Sequence, residues 1–151
     1  MADKPRWRRY YRAMKSRHAM LVLCLFVTTW TIADAVSAPY TPAQVRTGKT
    51  LFMQKCAACH GASLQGDSST PALTGATFAS SDLSISQLRA IVTLQMPLGN
   101  PGSLSPSQYA AVLAFILKYD CVTPSNGGKK PFPTTDQPQF QTIKIGGATC
   151  R

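Results

Sequence analysis

Three S/T-x-x-Q signatures, each opening an apolar pattern with helical spacing, predict an all-α fold of three main helices: Thr41 to Gln44, Ser84 to Gln87 and Ser105 to Gln108. In such a capping box the hydroxyl accepts the backbone N–H three residues on, while the glutamine side chain reaches back to the cap. Two of the boxes are followed at once by a proline, Pro42 and Pro106, whose fixed φ suits the first helical position. The 151 residues suit one small domain. With 44% hydrophobic residues, a largely disordered chain and a multi-span membrane protein are both poor readings.

The net charge of +10 suggests a nucleic-acid binder, but seven of the sixteen basic residues precede residue 18. They are followed by fifteen uncharged residues, Ala19 to Ala33, in the shape of a secretory signal peptide. Fifteen is short of the roughly 20 that span a bilayer, and an uncleaved anchor is the alternative. Cleavage is expected after Ala35, because a cut after Ala38 would leave Pro39 just beyond it. Arg8-Arg9 fits a twin-arginine signal poorly, and Cys24 reads as an apolar filler with Leu23, not a small residue, before it. Beyond Ala35 there are nine basic and four acidic residues, a balance of +5. The expected organisation is a signal at 1–35, a helical domain at 40–119 and an irregular extension at 120–151.

On the first helix, Val45, Gly48, Phe52, Cys56 and Cys59 recur at spacings of 3, 4, 4 and 3, one face of a helix. Gly48 costs about 1 kcal/mol against alanine there, which a close crossing by another helix would explain. Residues 61–83, with Gly61, Gly66, Pro71 and Gly75 among small polar residues, read as a loop. The second helix turns Leu88, Ile91 and Val92 to the core, and Pro97 forces Met96 out of helical geometry into an extended one. After a turn-rich stretch from Leu98 to Ser103, the third helix covers 106–119 with Tyr109, Val112, Leu113, Phe115 and Ile116 as its apolar stripe. The last 32 residues hold four Pro and four Gly and read as irregular.

Cys56-Ala57-Ala58-Cys59-His60 spells C-x-x-C-H, the attachment sequence of c-type haem. Two Cys at i and i+3 share one helical turn, where each sulfur can add to one vinyl group, and His60 follows where its imidazole reaches the iron. A structural zinc site needs four Cys or His ligands, and beyond Ala35 only His60, Cys121 and Cys150 accompany the pair. A redox dithiol would be expected near a βαβ pattern, which the chain lacks. An export signal agrees with haem, because covalent attachment of this kind is generally completed after export.

With Gly48 and Phe52 eight and four residues before Cys56, Pro71-Ala72-Leu73-Thr74-Gly75 after the motif and Met96-Pro97 before a last helix, residues 40–119 resemble a class I c-type cytochrome. The resemblance implies the cytochrome c fold around one covalent haem c, with the Pro71 carbonyl holding the second ring nitrogen of His60. It implies that Val112 and Phe115 cross the first helix near Gly48 and Phe52, both aromatics being read as core, not cofactor contacts. It also implies Met96 as the sixth ligand. Of five Met, three precede the expected cleavage site and Met53 lies one turn before Cys56, while Met96 lies 36 residues after His60. The alternative for Met96 is a gap-filling core residue. In an exported chain the two remaining cysteines, Cys121 and Cys150, are expected to pair and tether the extension, the alternatives being a mobile tail with free thiols or a bond to a partner.

An iron held by His60 and Met96 has no position for substrate, so the expected chemistry is one-electron transfer, not enzymatic catalysis. The resemblance points to periplasmic carriers between a dehydrogenase and a respiratory acceptor, docking transiently by basic charge. A fixed cytochrome subunit of an oxidoreductase complex is the first alternative. A five-coordinate haem sensor or enzyme, requiring Met96 unbound, is the second. With no Glu and four Asp beyond Ala35, hydrolytic chemistry has little to build on.

Overall fold

A computed structural model of the chain describes residues 36–145. The expected signal at 1–35, its cleavage site and Cys150 lie outside the described residues. The element order is β1 (Ser37–Ala38), α1 (Pro42–Lys55), α2 (Ala57–His60), α3 (Gly75–Ala79), α4 (Ile85–Gln95), α5 (Pro106–Tyr119) and β2 (Thr123–Pro124). Two 3-10 turns, Ser125–Gly128 and Pro138–Gln141, follow. The three main helices are those marked by the capping boxes. Each box closes, with Gln44, Gln87 and Gln108 donating their backbone N–H to Thr41, Ser84 and Ser105 at 3.2, 3.2 and 3.3 Å. The loop expected over 61–83 also contains the short helix α3.

Gly48 meets the close crossing that its cost demands. A Cβ there would lie 2.5 Å from the Ala111 carbonyl carbon and 2.9 Å from Phe115 Cβ, so α1 and α5 touch backbone to backbone. Ala111, not Val112, sits over the glycine. One turn on, the Phe52 and Phe115 rings pack with centroids 5.4 Å apart.

The third helix departs from the expected stripe, because Tyr109 through Leu117 are all buried. Val122, Phe132, Phe140 and Ile145 of the extension join the same hydrophobic core as the helices. An amphipathic face needs solvent opposite it, and a helix buried over nine consecutive residues has none.

From Asp120 to Ile145 the extension is irregular, and within the described residues it is strapped down at several points. Gln44 acts as a second backbone, accepting the Phe132 N–H at 2.7 Å and donating to the Phe132 carbonyl at 3.0 Å. Ile85 donates to the Ile143 carbonyl at 3.0 Å and Ile145 to that of Leu83 at 2.8 Å. Lys144 pairs with Asp82 at 2.9 Å. Between these fastenings Arg89, only 6% exposed, donates to the carbonyls of Pro133 and Thr134 at 2.8 and 3.2 Å. Its guanidinium lies 4.7 Å from the centroid of the Phe132 ring, which stacks on Phe140. Two carbonyls, a ring face and the Asp136 carboxylate 3.9 Å away stand in for water around this cation, while its Nε has no hydrogen-bond partner.

A small departure from an all-α fold sits where the chain enters and leaves this unit. β1 and β2 pair in parallel, Ser37 with Thr123 and Ala38 with Pro124. The segment before α1 runs extended beside the exit of α5, and there Thr123 donates its N–H to Val36 at 3.0 Å and the Tyr40 hydroxyl bonds the Val122 carbonyl. Cys56 and Cys59 are the free thiols among the described residues, and Cys121 is not one of them.

Candidate functional site

α1 stops at Lys55 and the chain breaks at Cys56 (φ −124°, ψ −34°) before the four-residue turn α2. The run of one helical face through both cysteines, expected from the spacing, is therefore interrupted there. The two thiols still share a turn, because the Cys59 and His60 N–H groups both bond the Cys56 carbonyl, at 3.1 and 2.9 Å. Burial pushes the Cys56 thiol above its ordinary pKa. Cys59 is exposed, whereas His60 is 7% exposed.

His60 Nδ1 lies 3.0 Å from the Pro71 carbonyl oxygen. A carbonyl can only accept, so Nδ1 carries the proton and Nε2 keeps the lone pair that a metal needs. The loop that delivers Pro71 is built for it. Gly66 has φ +62°, and a Cβ there would come within 2.7 Å of the Pro71 carbonyl carbon. Asp67 closes the turn by accepting from the Ser69 and Thr70 N–H groups at 2.7 and 2.8 Å, and these bonds hold its carboxyl below the ordinary pKa. Leu64, fully buried in spite of φ +61°, accepts the Leu73 N–H at 2.8 Å.

Pro97 acts on Met96 as its chemistry requires. Met96 caps α4 in extended geometry (φ −120°, ψ 151°), joined to Pro97 by a cis bond. Its carbonyl accepts the Tyr109 hydroxyl at 2.8 Å.

All five residues singled out from the sequence, Cys56, Cys59, His60, Pro71 and Met96, line one cavity of about 190 Å³. The remaining wall is mostly apolar: Phe52, Leu73, Val92, Leu98, Val112 and Ile116, with Lys55, Ser69 and Thr70 at its polar margin. Phe52 is therefore wall as well as core, against the reading that confined it to the core, because α1 presents it to α5 and the cavity at once. No local signal marks Leu73, Val92 and Ile116 as wall residues, and Leu98 stands 84% exposed beside Met96. Periodicity marks apolar faces but does not say which of them borders a hollow.

Asp120 also escaped the sequence reading. It caps the end of α5, with 7% exposure and one oxygen, Oδ2, without a hydrogen-bond partner. Desolvation raises its pKa to about 7, partly offset by hydrogen bonds from the Thr74 side chain and the Gly75 N–H.

Two thiols on one turn, an imidazole with Nδ1 already engaged and a thioether, all on one apolar hollow, form a donor set that fits a covalently attached haem. The fold and this hollow define a haem-binding helical domain. Residues 43–116 match the family model described as Cytochrome C oxidase, cbb3-type, subunit III. This segment is a c-type cytochrome domain of class I, and its cofactor is covalently bound haem c. Among solved structures, the sulfane dehydrogenase SoxCD from Paracoccus pantotrophus is similar at 24% identity, covering 77% of this chain and 72% of that one, with a TM-score of 0.49. No curated protein matches the chain.

Proposed function

We propose that the protein is an exported one-electron carrier whose haem c is bonded to Cys56 and Cys59 and ligated by His60 and Met96, passing electrons from a dehydrogenase to a respiratory acceptor. The observation that carries this reading is that Met96 and His60 border the same hollow as Cys56 and Cys59. Haem c supplies a one-electron ferric/ferrous couple when bound. The residues do the rest. Pro71 orients His60 and fixes its tautomer, so that Nε2 faces the iron with its lone pair. Met96 offers a soft thioether, which favours the ferrous state and fills the position that a substrate would need. Phe52, Val92, Val112 and Ile116 keep water from the iron, and the low dielectric also favours the less charged ferrous form.

The localisation in this reading is the periplasm, after removal of residues 1–35, and Cys121 pairs with Cys150 to tether the extension. Among the described residues no helix is long and apolar enough to cross a membrane. The working form is a monomer that docks briefly on redox proteins. The family description names an oxidase subunit, which favours as second reading a fixed cytochrome subunit of an oxidoreductase complex. Isolation as a monomer from cells separates the two.

The ligand set is tested by the optical spectrum of the ferric holoprotein. A far-red charge-transfer band, abolished in Met96→Ala, supports the carrier. A wild type without that band, whose ferrous form takes up carbon monoxide on mixing, has an open iron and contradicts it.

A further inference from the structure

Met96 caps α4 at the start of a stretch with few hydrogen bonds. Pro97 has no N–H to donate, Leu98 projects into solvent, and the Asn100 N–H returns only to the Pro97 carbonyl, 2.9 Å away within the same turn. The stretch is anchored again at Leu104, which is buried. Among the described residues, the hydrogen bond that ties this segment to another helix runs from the Tyr109 hydroxyl to the Met96 carbonyl, at 2.8 Å.

Tyr109 is well placed to be the fixed end of that bond. It is 5% exposed and stands in the first turn of α5, locked by the Ser105 box and by Pro106. Its own N–H bonds the Ser105 carbonyl at 3.0 Å. The tyrosine ring is buried, and its hydroxyl bonds the backbone carbonyl of Met96 itself.

We propose that Tyr109 is a positioning residue, which holds Met96 in its iron-binding conformation by donating its hydroxyl proton to the Met96 carbonyl. The proposal rests on Met96 being the sixth ligand. Without the hydroxyl, Met96 gains backbone freedom that it must give up each time its sulfur binds, so a competing ligand displaces it more readily.

Added imidazole competes with the sulfur for ferric iron, and loss of the far-red band reads the competition. Tyr109→Phe keeps the ring and removes the bond, and it is expected to bind imidazole about fivefold more tightly than wild type, the order of one hydrogen bond. Tyr119→Phe, at the other end of α5, is the control expected to match wild type. If the hydroxyl served packing alone, the unfolding midpoint would fall and the imidazole affinity would stay put. Equal affinities in wild type and Tyr109→Phe, with the band present in both, overturn the proposal and leave Met96 as ligand. A wild type without the band overturns the ligand assignment, and the proposal falls with it.

Discussion

Gly48→Ala sets two magnitudes against each other. In an exposed helix the change would stabilise by about 1 kcal/mol through propensity. Here the new Cβ would stand 2.5 Å from the Ala111 carbonyl carbon and 2.9 Å from Phe115 Cβ, where ordinary carbon contacts need about 3.5 Å or more. Neither neighbour is the loose end of a flexible chain. Relief therefore means moving α5 away from α1 by about 1 Å, and α5 carries nine consecutive buried residues from Tyr109 to Leu117. That shift loosens the Phe52 and Phe115 contact and widens the cavity wall that Phe52, Val112 and Ile116 share. Overpacking of this kind costs about 1–3 kcal/mol, and an unyielding backbone belongs at the upper end, so a net loss of about 2 kcal/mol is expected. Urea unfolding of the haem-loaded protein should show a lower midpoint with an unchanged slope. A variant as stable as wild type would refute the backbone crossing.

Arg89→Met removes the guanidinium that holds the Pro133 and Thr134 carbonyls, and a loss of about 2 kcal/mol with faster proteolysis between 120 and 145 is expected. Asp120 has its folded pKa raised to about 7 from 3.8, chiefly by desolvation, so the fold holds its proton more tightly than the unfolded chain does. Its contribution to stability is thus full below about pH 4 and is lost as pH rises towards 7, a slope that Asp120→Asn should erase in thermal unfolding scans. Asp67 runs the other way: the Ser69 and Thr70 hydrogen bonds lower its pKa, so the turn that delivers Pro71 weakens as pH falls through that lowered value. Asp67→Ala should weaken it at every pH, seen as faster amide exchange at Thr70. Cys121→Ser is expected to cost about 2–4 kcal/mol, and peptide mapping without reductant should yield residues 121 and 150 on one linked pair.

The parts legible in the sequence are those with a local cause. Capping boxes, proline at the first helical position and the C-x-x-C-H turn are set within five residues. Pro97 alone suffices to predict the extended Met96. Gly48 announced a crossing by its cost, though not that Ala111 would be the partner. What escaped was long-range. Arg89 stands between Leu88 and Val92 on the apolar side of α4, a charge in an apolar stripe that hinted at a buried partner, but nothing local pointed to Pro133 and Phe132. The extension looked loose because proline and glycine break periodicity, whereas Phe132 and Phe140 were the signal that it packs. The full burial of α5, the Asp120 carboxyl and the bond from Tyr109 to Met96 likewise depend on contacts distant in sequence, for which no sequence period exists.

A reductive titration of the isolated holoprotein under carbon monoxide, followed optically, tests the carrier reading. With His60 and Met96 as the proposed iron ligands, one electron per chain, a single Nernst wave and a ferrous spectrum that carbon monoxide leaves unchanged on mixing are expected. Immediate formation of a carbon monoxide adduct, or uptake of more than one electron, would contradict that reading.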